Sequence, residues 1–335
     1  MTLRVQPRLV NRPFGDPGLC LDFRYSRRAM LFDLGDLAAL SPRQLLRVSH
    51  AFVSHAHMDH VAGLDRLLRV CLHRTAPLSL VGPPGFVRQI EHRLRSYTWN
   101  LLDARSVDFR LQVAEFGRAG LGRSAEFRAR DAFRRRPLET PPQEAGRAHA
   151  EAAFAVDAVV LDHGTPSLAF ALREADRVNV WRTGLDALGL EVGPWLTRAK
   201  DAVRAGLPDG HRLEGPQGRA IPLDLLRENA LKVTRGRVIA YVTDAADTPQ
   251  NRERIVSLAA DADQLFIEAA FLHADRHLAD ATRHLTARAA GEIARSCGAR
   301  QVTPFHHSAR YLDTPAALEE ELQAAWEGRE PPGDR

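Results

Sequence analysis

Cysteine, lysine and long apolar runs are what this 335-residue chain has least of. Its three cysteines, Cys20, Cys71 and Cys297, are odd in number and far apart. That argues against a disulfide framework and fits a reducing compartment. No apolar run approaches the ~20 residues that span a bilayer, so no membrane helix and no membrane partner are expected. The opening MTLRVQPRLV has no apolar segment after its charges, so no secretory leader is expected, and the reading is cytoplasmic. Lysine occurs only at Lys200 and Lys232, and arginine supplies the remaining basic side chains. Two explanations stand: selection for bidentate phosphate contacts, or a general bias toward arginine and alanine.

Hydrophobic residues make up 44% of the chain, enough for a sizeable core. Short apolar runs alternate with helical spacing, the pattern of a mixed α/β protein. Strands are expected over 49–54, 156–161, 237–243 and 264–268, and helices over 61–70, 85–94 and 286–297. Thr314 is a candidate N-cap for a last helix, with Pro315 at its first position and Leu318, Leu322 and Ala325 facing the core. Residues 330–335 read as a frayed tail. The chain is read as one domain, 1–335, with two departures inside it. Residues 117–150 have little apolar periodicity and read as a basic, loop-rich insertion. Residues 173–222 are dense in glycine and proline and read as a projecting arm. The formal net charge is +4, and between Arg118 and Arg147 eight arginines face four acids, a surplus equal to that of the whole chain. The arm, with eight basic and seven acidic residues, is close to neutral. A strong grip on nucleic acid would normally show more surplus, because phosphate contacts dominate affinity. If a nucleic acid is the partner, phosphate contacts are sought on this insertion, at Arg134, Arg135 and Arg136, before the arm; the alternative is a solvated loop.

The strongest chemical signal is Ser54-His55-Ala56-His57-Met58-Asp59-His60, directly after a strand and before a helix. Three imidazoles and a carboxylate so close together can converge on metal. Imidazole with carboxylate suits Zn²⁺ and, less selectively, Mn²⁺ or Fe. His163, Asp244 and His306 each follow an expected strand, where side chains from separate strands can meet outside a sheet.

In order and type these residues resemble the metallo-β-lactamase fold, an αββα four-layer sandwich. Within it the chain is similar to the ribonuclease Z family of tRNA 3′-processing endonucleases. Leu80-Val81-Gly82-Pro83-Pro84-Gly85 resembles that family's Gly-Pro-x-Gly turn, and His163-Gly164-Thr165-Pro166-Ser167 its third-motif region. Gly189-Leu190-Glu191-Val192-Gly193-Pro194 resembles the Gly-Pro element of its arm. Glu268-Ala269-Ala270-Phe271 resembles Glu-Ala-Thr-Phe, and His284-Leu285-Thr286 resembles His-Ser-Thr. Phe305-His306-His307-Ser308-Ala309-Arg310-Tyr311 resembles its His-Phe-Ser-x-Arg-Tyr ending. The chain departs from the family at Asp33-Leu34-Gly35-Asp36-Leu37-Ala38, where the usual text is Asp-x-Gly-Glu-Gly-Thr. It departs again at Leu9-Val10-Asn11, where a Leu-Gly-Thr turn is usual.

The resemblance implies two zinc ions. His55, His57 and His163 fall to the first, Asp59, His60 and His306 to the second, and Asp244 bridges them. It implies attack by a metal-bound hydroxide on the 3′ trailer junction of a precursor tRNA, with a homodimer as the working form. Two ions about 3.5–4 Å apart suit a phosphodiester displacement. His284 is the candidate general acid for the leaving 3′ oxygen and Glu268 the residue that orients it, while Asp59 is a further candidate to take a proton. His307 is read as a substrate-side or structural residue. The competing readings are a hydrolase of the same fold acting on a small phosphodiester, thioester or lactone, and an RNA-binding module without turnover.

Overall fold

The computed structural model describes residues 5–24, 26–139 and 143–329. The expected tail at 330–335 lies outside the described residues.

One strand explains the architecture. In β11 (Pro166–Glu174), Leu168, Phe170 and Leu172 point into one apolar core, and Ala169 and Ala171 into another. Side chains alternate along a strand, so a strand apolar at successive positions must be covered on both faces. The first sheet is β1 (Val5–Leu9), β2 (Leu19–Phe23), β3 (Arg28–Phe32), β4 (Val48–Phe52), β5 (Leu78–Gly82), β6 (Arg110–Gly117), β7 (Gly120–Arg128) and β8 (Arg135–Leu138), paired in chain order. Neighbours from β3 to β6 run parallel. The second sheet opens with β9 (Arg147–Glu151), β10 (Phe154–Asp162) and β11. Four short strands follow, β12 (Arg177–Val180), β13 (Arg212–Glu214), β14 (Ala220–Pro222) and β15 (Leu231–Thr234), pairing as β12–β15 and β13–β14. The second sheet resumes with β16 (Val238–Val242), β17 (Gln264–Glu268) and β18 (Val302–Phe305), all parallel, in the order β18-β17-β16-β11-β10-β9.

Three cores separate four layers. Phe32, Phe52 and Met30 of the first sheet meet Phe170, Ile239 and Tyr241 of the second. The far side of the first sheet packs on helices Leu64–Cys71 and Phe86–Arg95 through Leu67, Leu68, Phe86 and Ile90. The far side of the second packs on Pro249–Leu258, Ala287–Ser296 and Pro315–Glu327 through Ile255, Ile293, Leu318 and Leu322. This is the αββα sandwich. Residues 174–237 form a second compact unit with its own core of Trp195, Leu196, Leu223, Leu226 and Leu231. No helix among the described residues is long and apolar enough to cross a membrane.

Several expectations need adjustment. Residues 117–150 are not a loop-rich insertion: β7, β8 and β9 lie there, in both sheets. In β7 the buried Ala125 and Phe127 alternate with solvent-side residues, so polar text conceals a strand with one covered face. The compact unit around the expected arm reaches residue 237, because Leu223–Asn229 and β15 lack the glycine and proline that marked the rest. The strand before the histidine block stops at Phe52, and the helix expected over 61–70 is two pieces, Met58–Val61 and Leu64–Cys71. Gly63 sits between them because a Cβ there would come 2.2 Å from the Gly35 carbonyl oxygen. Thr314 precedes the last helix but makes no side-chain cap bond.

Candidate metal centre

The centre gathers where strands end. His55, His57, Asp59 and His60 follow β4, His163 follows β10, Asp244 follows β16 and His306 follows β18. Ligand-type atoms of His55, His57, His163 and Asp244 lie within 4.8 Å of one another, and so do those of Asp59, His60 and His306. Asp244 divides its carboxylate between the groups. Its Oδ2 is 3.6 Å from His55 Nε2 and 3.4 Å from His163 Nε2. Its Oδ1 is 3.3 Å from His60 Nε2 and 3.0 Å from His306 Nδ1. Asp59 Oδ2 stands 3.4 Å from His60 Nε2 and 3.2 Å from His306 Nε2. All seven residues singled out as ligands are thus brought together.

The fit to metal rests on orphaned atoms. His55 Nε2, His60 Nε2 and His306 Nδ1 are buried and have no hydrogen-bond partner among the described residues. They lie close to Asp244 without the alignment of a hydrogen bond. Buried polar atoms without partners are rare and call for an ion or water. At two of the ligand histidines the Nδ1 nitrogen is occupied. His163 Nδ1 donates to the Arg283 carbonyl at 2.8 Å, and His60 Nδ1 to Asp33 Oδ2 at 2.9 Å. Each bond fixes a tautomer that turns the Nε2 lone pair inward, as metal-binding histidines require. Six nitrogen and oxygen ligands around one shared carboxylate fit two borderline-soft cations such as Zn²⁺.

Electrostatics divide the two groups. Burial, reinforced by His60, lowers the His55 pKa to about 2, and burial with His163 lowers that of His57. These imidazoles are neutral, the form that binds metal. At His60 and His306 burial opposes the charge, but Asp244, with Asp33 and Asp59 respectively, draws a proton on and raises both pKa values. A cation there would take the place of those protons.

Asp33 is the main support that the sequence did not reveal. Its fully buried carboxylate accepts from Ser54 N–H at 2.6 Å, Ser54 Oγ at 2.9 Å, His60 Nδ1 and Tyr241 Oη at 2.9 Å. Three residues of the centre, Asp33 (φ 58°), Asp244 (φ 39°) and His306 (φ 59°), hold left-handed backbone, strain that clusters at functional sites. The position of Asp33 at the end of a strand was the available signal.

Glu268 and His284 form a separate pair beside the ligands. His284 Nδ1 is 2.6 Å from Glu268 Oε2, while Glu268 Oε1 accepts from Ala245 N–H at 2.7 Å. Glu268 is fully buried and His284 partly exposed. Burial works against the imidazolium, yet Glu268 and then Asp244 raise its pKa. Both could serve a cation with Asp244 and His306, but the bond to Glu268 commits His284 Nδ1 and leaves Nε2 for another task. His307 is buried, donates Nδ1–H to the Ala269 carbonyl at 2.8 Å and meets Phe14 edge-on, while its Nε2 is buried without a partner among the described residues.

No family model matches the chain. It is 34% identical over 301 residues to the ribonuclease Z of Deinococcus radiodurans, covering 88% of this chain and 86% of the relative. It is 29% identical over 308 residues to that of Haloferax volcanii, covering 89% and 81%. Among solved structures, the metallo-β-lactamase fold protein YhfI from Bacillus subtilis is similar with a TM-score of 0.54 at 13% identity, covering 97% of this chain and 94% of that one. A long form RNase Z from yeast gives 0.51 at 10% identity, covering 93% of this chain and 38% of that one. The structural likenesses establish the metallo-β-lactamase fold.

Proposed function

Because the chain belongs to the ribonuclease Z family, as its 34% identity to one member over 88% of its length establishes, we propose that it is a metal-dependent endoribonuclease that cuts the 3′ trailer from precursor tRNA with two zinc ions. The observation that carries this reading is Asp244, whose two oxygens face two separate groups of histidines. His55, His57 and His163 would hold one ion and Asp59, His60 and His306 the other, with Asp244 shared. The same donors also accept Mn²⁺ or Fe. A bound pair of ions supplies acidified water for attack and positive charge opposite the phosphodiester.

The chain's own residues supply the rest. Asp33 orients His60, and the Arg283 carbonyl orients His163. Asp59, at the rim of its group, accepts a proton as water attacks. His284 offers the proton on Nε2 to the leaving 3′ oxygen, so the tRNA body ends in a 3′-hydroxyl. Glu268 keeps His284 charged and aimed through its 2.6 Å contact. The resemblance to the family also supports a homodimer in which one subunit's 174–237 unit holds tRNA cut by the other, and a monomeric mass by light scattering would remove that part.

The test is cleavage of precursor tRNA by purified, zinc-loaded protein, with bis(p-nitrophenyl) phosphate alongside and metal counted per chain. Endonucleolytic release of the trailer with two ions bound is expected. Turnover of the small diester with every precursor left intact would sink the RNA reading. Fewer than two ions would undermine the dinuclear one.

A further inference from the structure

The side chain of Arg283, unlike its carbonyl, has no part in the proposed reaction. Arg283 ends the helix Arg276–Thr282 in left-handed backbone, φ 60°, where non-glycine residues are uncommon. Its carbonyl accepts from His163, and the next residue is His284. Its guanidinium is aimed. Nη1 donates to Asp162 Oδ2 at 3.1 Å, and the other oxygen of Asp162 accepts from Gly164 N–H at 2.8 Å. Gly164 makes the room: a Cβ there would stand 3.0 Å from Arg283 Cδ and 3.3 Å from its Nε. The side chain is 50% exposed, and Nε and Nη2 hold no hydrogen bond among the described residues. A cation with two donor atoms to spare is therefore held by Asp162, the neighbour of His163, on the residue that precedes His284, and it belongs to none of the groups of ligand-type atoms.

We propose that Arg283 grips the RNA phosphate next to the one that is cut, an inference that rests on the function proposed above. The guanidinium fork matches phosphate oxygens bidentately. Belonging to none of the ligand groups, it suits a neighbouring phosphate rather than the reacting one. A substrate with a single phosphate has nothing to offer this side chain, which separates its role from that of the metal ligands.

The experiment compares R283Q, R283G and R283K with wild type on precursor tRNA and on bis(p-nitrophenyl) phosphate, with metal content measured for each. Glycine keeps the left-handed turn, glutamine keeps most of the stem and lysine keeps the charge. Replacing the side chain leaves in place the backbone carbonyl that meets His163, so the neutral variants should retain metal and diester turnover while KM for precursor tRNA rises about tenfold. The slope of log affinity against log salt should fall by about 0.7–0.9, one phosphate contact. R283K should recover most of both. A neutral variant that keeps metal and diester turnover yet shows wild-type KM and salt slope overturns the proposal. Loss of metal in both neutral variants overturns it equally, by assigning Arg283 to holding His163. Wild-type protein that leaves precursor tRNA uncut condemns the RNA reading instead, so the two failures are distinguishable.

Discussion

Asp244 and His284 stand 4.0 Å apart and are expected to fail differently when removed. D244A takes away both oxygens that face the two histidine groups, so it should abolish turnover and lose metal. H284A leaves every proposed ligand in place and removes a proton donor, a contribution of typically 10²–10⁴-fold. Its turnover should drop by that order while metal content stays at wild type. Elemental analysis beside the rate assay decides the matter, and loss of metal in H284A would refute the role given to His284. At this scale much was legible in the sequence. The histidine block is contiguous, and His163, Asp244 and His306 announce themselves by following strands. Asp33 and Tyr241 did not, because one lies 27 residues before His60 and the other across the sandwich, and only the fold joins them. Arg283 was hidden for a similar reason: its partners, Asp162, His163 and Gly164, are distant in sequence.

Among the elements, β4 carries a pH liability at its middle residue. His50 packs 4.3 Å from the His149 ring and accepts at Nδ1 from Arg28 at 3.2 Å. Burial, with His149 and Arg28 nearby, pulls its pKa down to about 3. The folded chain thus refuses a proton that the unfolded chain takes near pH 6.5. Stability is full above that value and declines as pH falls from about 6.5 toward 3, by up to about 1.4 kcal/mol per pH unit for this one group. H50Q keeps a hydrogen-bond acceptor and cannot titrate, so urea unfolding between pH 6.5 and 5 should show a shallower loss than wild type. Parallel losses would exclude His50 as the source. The elements also show where sequence reading is blind. Strands covered on both faces, such as β16 and β17, stand out as continuous apolar runs. β7 does not, since one face is dressed in arginine and glutamate, and a single covered face leaves only Ala125 and Phe127 as markers.

Over the whole molecule, charge and function are separated in space. Residues 118–147 hold a surplus equal to that of the chain, but Arg135 pairs with Glu91 and Arg136 with Asp131. Arg135 is level with Phe127, Leu111 and Leu78, at the start of the parallel strands whose other ends carry the centre. β8 is four strands from β4, about 19 Å across the sheet. Neutralising Arg134, Arg135 and Arg136 together should therefore leave bis(p-nitrophenyl) phosphate turnover unchanged and reduce the salt slope of precursor binding by no more than about one contact. A loss of two or three contacts would return this face to the RNA path.

The split of the proposed ligands between β4 and the second sheet has a consequence for the chain as it is made. His55 and His57 need His163 and Asp244, while Asp59 and His60 need Asp244 and His306. A nascent chain carrying only the histidine block offers neither cation a finished cradle. Under the proposed assignment, the first ion would gain its full set once Asp244 has left the ribosome, and the second would wait for His306. Metal capture would then be ordered in time by the order of translation, and a ribosome stalled between those two residues would display a chain with the proposed ligands for one ion alone.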